Sequence, residues 1–323
     1  MIRYDVFNGD ADGIIGLLQL RLADPRETIL VTGVKREIRL LERIEPAQGD
    51  EITVLDISLD ENREALHRAL DAGARCRYFD HHYAGEIPAH PRLEAHIDTS
   101  PELCTSLIVD RHIGGRFRAW AVAAAFGDNL IEPARRAAEP LALRAEEVAL
   151  LKELGEAINY NAYGESVADL HYDPADLFRN MLGYADPFEF IIDEPVLETL
   201  KHARADDLAR AAAVAPQIEA PGYALYRLPD AAWSRRVSGT FANAKAQEFP
   251  TRAHAIIVSL SDGTLSANVR APLARPYGAA QLCRRFPGGG GREAAAGINR
   301  LREADLAELA RQLEAAYGPS AKA

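Results

Sequence analysis

The feature that most narrows what this chain can fold into is an alternation in its first third. Short apolar runs at residues 2–7, 28–34, 51–57 and 76–80 are separated by segments of helical periodicity at 13–23, 35–44 and 60–72. Runs of that length, rich in Val, Ile, Leu and Tyr, read as strands, and an intervening helix lets successive strands lie parallel in one sheet. The expected fold class is therefore α/β, with a parallel sheet. Such sheets collect functional groups in the loops beyond the carboxyl ends of their strands. Three of these four ends carry aspartates: Asp10 and Asp12 after the first, Asp56 near the end of the third, and Asp80 ahead of His81 and His82 at the fourth.

The rest of the chain divides on the same grounds. Residues 104–170 are helical in pattern, and 195–215 form a further helix closed by Pro216 and the Pro221-Gly222 pair. Strand-like segments follow at 223–228, 237–242, 254–260 and 264–270. Beyond them lie a run of four glycines (288–291), a helix suggested by residues 292–297 and an amphipathic helix from about 303. This predicts a first domain over 1–194, a helical linker over 195–221 and a smaller α/β domain over 222–323.

The stretch FNGDADGIIG (7–16) sets Asp10 and Asp12 one residue apart. Like charges this close repel, so either they cap a helix or they hold a cation. Taken singly, each aspartate, including Asp128 in FGDN, reads as well as a cap or turn residue. Five such residues at successive strand ends and loops, with a His-His pair behind an aspartate, favour the cation. Hard oxygen donors with one imidazole suit Mn²⁺ or Mg²⁺, with Mn²⁺ or Co²⁺ the more tolerant of nitrogen.

Charge bears on partners. A net charge of −11 over 323 residues argues against binding long duplex nucleic acid, which rests on many Lys and Arg contacts to phosphate. A small anion is another matter: residues 263–302 hold seven arginines and one glutamate, a local charge of +6. Three widely spaced cysteines, Cys76, Cys104 and Cys283, lack a paired-ligand pattern and fit a reducing compartment. With no leader-like start and no apolar run of spanning length, a cytoplasmic protein that does not engage membranes is expected.

The motifs DADG, VLDIS and above all FDHH resemble the first three motifs of the DHH phosphoesterase superfamily, and FGDN resembles the fourth. SANVRAP (266–272) followed by GGGGREAAAG (288–297) resembles the second domain of its subfamily of single-strand-specific exonucleases and nano-RNases. The resemblance implies a parallel-sheet catalytic domain with a helical region, and a smaller α/β domain across a cleft. It implies Asp10, Asp12, Asp56, His81 and Asp128 as metal ligands, with Asp56 bridging two Mn²⁺ ions; Mg²⁺ or Co²⁺ would also serve. Two ions roughly 3.5–4 Å apart can activate water and hold both oxygens of an in-line displacement at phosphorus. His82 is implied as the group at the scissile phosphate, Asp80 as its orienting partner, and Arg270 as a phosphate grip.

Two departures from that family pattern bear on substrate choice. The histidine that many members carry upstream of the first aspartate is missing, and Asn8 stands where relatives place another aspartate, so Asn8 is expected to bind a ligated water. Arg292 replaces a histidine after the glycines Gly288, Gly289, Gly290 and Gly291, whose amides are expected to cradle a phosphate together with the dipole of the suggested helix. Arg292 binds phosphate well but is a poor acid. The implied activity is phosphodiester or phosphomonoester hydrolysis in short single-stranded oligonucleotides or small phosphorylated nucleotides. An exopolyphosphatase or a catalytically weak nucleotide sensor is the alternative, and a homodimer stays open. His96 is read as near the metals or as a loop residue, and Tyr160, Tyr163 and His171 as base-stacking or packing groups.

Overall fold

The computed structural model describes residues 1–319. The chain forms two compact units, Met1–His202 and Ala203–Ala323.

In the first unit, strands β1 (Arg3–Phe7), β2 (Ile29–Val31), β3 (Glu51–Leu55), β4 (Arg75–Asp80) and β5 (Leu93–Ile97) form one sheet in the order β2-β1-β3-β4-β5. Every pairing is parallel, as the alternation of strand and helix requires. The helices are α1 (Ala11–Ala23), α2 (Arg63–Asp71), α3 (Thr105–His112), α4 (Arg118–Gly127), α5 (Ile131–Ala138), α6 (Ala145–Asn161), α7 (Pro174–Met181) and α8 (Pro187–Asp193), followed by α9 (Val196–Ala212), which runs on into the second unit. Helix α1 is mostly apolar on every face, as an enclosed helix must be, and its buried polar residues Asp12 and Arg21 are partnered. Residues 11–21 of it are buried. It packs against the sheet on one side and against α3, α4 and α6 on the other.

Glycine permits the tightest of these packings. A Cβ on Gly155 of α6 would lie 1.8 Å from the Ala123 carbonyl of α4, and one on Gly127 would lie 2.7 Å from the Gly155 carbonyl. The two backbones therefore touch directly, which fixes the end of α4 and with it Asp128.

The sequence expectation of a helix over 35–44 is corrected. Only a single 3₁₀ turn, Leu40–Arg43, forms. The residues before it are held as a loop by side chains that bind backbone groups: Asn8 donates to the Lys35 carbonyl, Glu37 accepts from Val34 N–H, and Asn62 donates to the Ile38 carbonyl. Such bonds compete with helical ones. Strand β5 was not anticipated, because it is an edge strand with little buried alternation.

The second unit carries β6 (Ile218–Glu219), β7 (Tyr223–Arg227), α10 (Ala232–Glu248), β8 (Ala253–Ser259), β9 (Leu265–Arg270), α11 (Ala279–Cys283), β10 (Gly289–Gly291), β11 (Ala295–Leu301) and α12 (Leu306–Tyr317). Its sheet runs β10-β11-β9-β8-β7-β6, parallel only between β7 and β8. Inward residues of the sheet, among them Leu225, Ile257, Val269 and Ile298, form the core with Leu282, Leu309 and Leu313 of α11 and α12.

Two further expectations are overturned here. Residues 237–242 are helical, within α10; Ser234, Val237, Ser238, Phe241, Ala242 and Ala246 are its buried residues, a 3.6-residue repeat that the β-branched composition masked. Residues 292–297 form no helix. They turn and begin β11, with Arg292 and Ala295 exchanging backbone hydrogen bonds and β11 pairing with β9. Sheet pairing overrides the helical preference of alanine, and the helix dipole invoked for the glycine loop is not there.

Candidate functional site

The centre lies at the carboxyl edge of the first sheet. Asp10 caps α1: its Oδ1 accepts from the backbone N–H of Asp12 and of Gly13, both at 3.0 Å. Its Oδ2 meets the Lys35 ammonium at 2.6 Å. Asp10 is thus both a helix cap and the partner of an ammonium.

Asp12 turns the other way, onto the start of α3. Its two oxygens accept from the N–H groups of Thr105 and Ser106, each at 2.7 Å. An anion at a helix N-terminus is held by these unpaired amides and by the helix dipole. Asp56 follows β3 in a left-handed conformation, φ 58°, which aspartate tolerates better than most residues. Its N–H donates to the Phe79 carbonyl, and its Oδ1 accepts from Thr105 Oγ1 at 3.0 Å.

His81 supplies the nitrogen. Its Nδ1 lies 3.1 Å from the Leu103 carbonyl, which can only accept, so Nδ1 carries the proton. Its Nε2 faces oxygens of Asp56, Asp128 and Asp12 at 3.5, 3.8 and 3.9 Å. Three carboxylate oxygens gathered around one imidazole nitrogen make a crowded negative pocket that a cation would relieve. Tying the far nitrogen to a carbonyl is how metal-ligating histidines are oriented. Asp12, His81 and Asp128 present ligand atoms close enough together to hold a divalent ion, and Asp56 Oδ1 lies 3.5 Å from the same His81 nitrogen.

His82 lies beside His81, with ring centroids 4.4 Å apart, and its Nδ1 is 3.9 Å from Asp56 Oδ1. Its Nδ1 is 2.7 Å from Asp80 Oδ1, and its side chain is 44% exposed. Asp80 is fully buried, and its Oδ2 has no hydrogen-bond partner.

The electrostatics follow from crowding. Burial, then Asp10, Asp12, Asp128 and Asp80, push the Asp56 carboxyl well above the usual range. Burial and Asp12 push Asp128 up to about 6, against the pull of Lys35. Burial would raise Asp10 too, but the Lys35 charge, its hydrogen bond and the Gly13 amide outweigh it and bring the value down to about 2. For His82, burial opposes the charged form, yet the Asp80 hydrogen bond and charge prevail and raise it.

Of the other sequence candidates, Asn8 is committed inward: Nδ2 donates to the Lys35 carbonyl, and Oδ1 accepts from the Asp10 N–H. His96 sits on β5, stacked on Phe79 at 4.6 Å and bonded to Glu94, in a separate group with His112. Tyr160 is buried and bonded to His171, while Tyr163 is exposed and bonded to Asn159.

In the second unit, Arg270 ends β9, and its Nε donates to Asn243 Oδ1 at 2.7 Å. On the same face of β9, Asn268 donates to Ser238 Oγ of α10. Gly289–Gly291 form β10, and Arg292 is exposed in the turn that follows. Gly288 and Gly291 have φ of 69° and 137°, which side chains rarely adopt.

Sequence reasoning missed Lys35, whose Nζ also lies 3.2 Å from Asn159 Oδ1 and 3.6 Å from Asp128 Oδ1. The one available signal was an isolated lysine directly after the second apolar run. Ser238 was hidden by reading 237–242 as a strand, and Asn243 lies just beyond that segment, in α10.

No family model and no curated protein matches the chain. Solved structures do. The exonuclease RecJ bound to manganese aligns over 97% of this chain and 89% of its own, at 17% identity and a TM-score of 0.64. A DHH domain from a protein described as a member of a ribosomal-protein family aligns over 97% and 85%, at 14% identity and a TM-score of 0.63. PggH of Vibrio cholerae, a pGpG-specific phosphodiesterase, aligns over 97% of both chains, at 12% identity and a TM-score of 0.53. Among the described residues no helix is long and apolar enough to cross a membrane. With its parallel five-stranded sheet, its aspartates and paired histidines at the carboxyl edge and its second mixed sheet, the chain has the fold of the DHH superfamily.

Proposed function

We propose that this chain is a Mn²⁺-dependent phosphoesterase that hydrolyses short single-stranded oligonucleotides or small phosphorylated nucleotides. One observation carries the reading: His81, tied through Nδ1 to the Leu103 carbonyl, faces three carboxylate oxygens with its Nε2 at 3.5–3.9 Å. That arrangement asks for a divalent ion and offers mixed N/O ligation, which Mn²⁺ accepts. When bound, such an ion lowers the pKa of water and offsets the charge of a phosphate.

The chain's own groups take the remaining roles. His82, protonated through its contact with Asp80, donates a hydrogen bond to phosphate and a proton to the leaving oxygen. Asp80 fixes the ring and its tautomer. Asp12 keeps its place because α3 grips both of its oxygens. Residues 1–194 are assigned as the metal-binding catalytic domain, 195–221 as a linker and 222–323 as the substrate-binding domain. In that domain Arg270, oriented by Asn243, and Arg292 are assigned to phosphate; the Gly289 amide, given to the Phe286 carbonyl, is not a free donor. A nucleotide substrate is favoured by the likeness to proteins described as an exonuclease and a pGpG phosphodiesterase.

The test is hydrolysis by the full chain in Mn²⁺ of RNA and DNA dinucleotides, short oligomers, linear and cyclic dinucleotides, 3′-phosphoadenosine 5′-phosphate and polyphosphate. His81→Ala serves as the control. Turnover of a nucleotide class, lost in the variant, is expected. Turnover of polyphosphate alone would replace the substrate, and metal binding with no turnover would make the chain a sensor.

A further inference from the structure

Lys35, its side chain 30% exposed, reaches two of the clustered carboxylates. Its ammonium lies 2.6 Å from Asp10 Oδ2, 3.2 Å from Asn159 Oδ1 and 3.6 Å from Asp128 Oδ1. The placement is built into the loop backbone: Lys35 N–H donates to the Ala162 carbonyl at 3.0 Å, and its own carbonyl accepts from Asn8. The ammonium is thus delivered to Asp10 by contacts that do not depend on its side chain.

The consequence lies in counting lone pairs. A carboxylate offers about four acceptor sites. On Asp10, Oδ1 already accepts two backbone N–H groups, and Oδ2 takes the ammonium. Asp128 is split, Oδ1 toward Lys35 and Oδ2 toward His81 Nε2. It therefore links two positive positions, one filled by the protein's own ammonium and one formed by Asp12, Asp56, His81 and Asp128. The other grouping with ligand potential, Asp56 with His81 and His82, has His82 Nδ1 already held by Asp80.

We propose that the Lys35 ammonium takes the place of a second divalent ion, so that the chain binds one ion at the Asp12–Asp56–His81–Asp128 centre where the DHH resemblance implied two. The inference rests on the metal-dependent reading above. It gives Asn8 a purpose as well, since Asn8 anchors both the Asp10 loop and the Lys35 loop. An ammonium is a fixed, single charge that cannot activate water. The chain would then gain a permanent cation beside the substrate phosphate and need only one ion from solution.

The experiment is the Mn²⁺ stoichiometry of the metal-stripped full chain, by titration calorimetry and elemental analysis, with low-temperature electron paramagnetic resonance of the loaded protein. Wild type is expected to bind one Mn²⁺ per chain and to give the six-line spectrum of an isolated ion. Lys35→Ala, its backbone anchors intact, is expected to bind two and to show spin coupling, because Asp10 Oδ2 and Asp128 Oδ1 are released. Lys35→Met, which keeps the aliphatic stem, is expected to do the same, and thermal melts confirm that both variants fold. Two ions in wild type would overturn the proposal and leave the phosphoesterase reading standing. One ion in wild type and in both variants would also overturn it, since Lys35 would then not be what excludes the second. No bound ion in wild type would remove both.

Discussion

Replacing Asp80 by asparagine separates the chemistry of the centre from its folding. Asp80 is buried, with one oxygen on His82 Nδ1 at 2.7 Å and the other unpartnered. Burial by itself disfavours the His82 imidazolium; the Asp80 hydrogen bond and charge reverse this and raise its pKa above the ordinary value. A hydrogen bond to a charged group contributes about 1.5–3 kcal/mol, and the 44% exposure of the His82 side chain puts this one at or just below the low end. About 1.4 kcal/mol corresponds to about one pH unit and to about a tenfold change in rate. The sign follows from the role. If His82 must be protonated to act, activity is present below its pKa and is lost as pH rises through it. Asp80→Asn lowers that pKa, so the alkaline limb of the kcat profile should move down by about one pH unit, with kcat at pH 8 falling about tenfold. Asparagine keeps the size of the side chain, so a thermal melt of the metal-free protein should still show a cooperative transition. The assay is initial-rate hydrolysis of the best substrate in the panel from pH 5.5 to 9.5. An unmoved alkaline limb, or an equal loss at every pH, would refute His82 as the acid.

Three further outcomes follow from the packing. Arg21→Met should destabilise the first unit by about 3–5 kcal/mol in urea unfolding, because Asp5, paired with Arg21 through Nε at 2.8 Å and fully buried, would be left uncompensated; adding Asp5→Asn should recover most of the loss. Gly289→Ala should cost about 2–3 kcal/mol, its Cβ lying 1.9 Å from the Cys283 carbonyl, whereas Gly290→Ala, with nothing within 4 Å, should leave unfolding unchanged. His254 is enclosed between the Tyr226 and Phe249 rings, and burial brings its pKa down to about 4. The unfolded chain therefore takes up that proton first. Stability should fall as pH drops from about 6.5 toward 4, by about 2–3 kcal/mol, a dependence that His254→Leu should remove from the pH series of denaturant midpoints.

Much of the centre was legible because its signals are local. An apolar run, a turn and an aspartate occupy ten residues, and the parallel topology carries each such unit to the same sheet edge. Asp10, Asp12, Asp56, His81 and His82 were named from that pattern, and Asp128 from the loop after a helix; their separate roles are proposals. What was misread is equally instructive. The segment 237–242 showed β-branched residues to the eye and a helical repeat to the fold, and 292–297 showed alanines but was drawn into a sheet by β9.

By itself the sequence determined the α/β class, the parallel order of strand and helix, and the gathering of carboxylates at strand ends, since periodicity and turn chemistry act over a few residues. Tertiary structure alone decided how those carboxylates are neutralised. Asp12 finds its amides 93 and 94 residues away on α3, Asp10 finds its ammonium 25 residues away on a loop, and Asn159 reaches that ammonium across 124 residues. Such pairings depend on where the backbone returns after long excursions. The energy that selects them, relief of buried like charge, exists only once the sheet and its helices have closed around the centre.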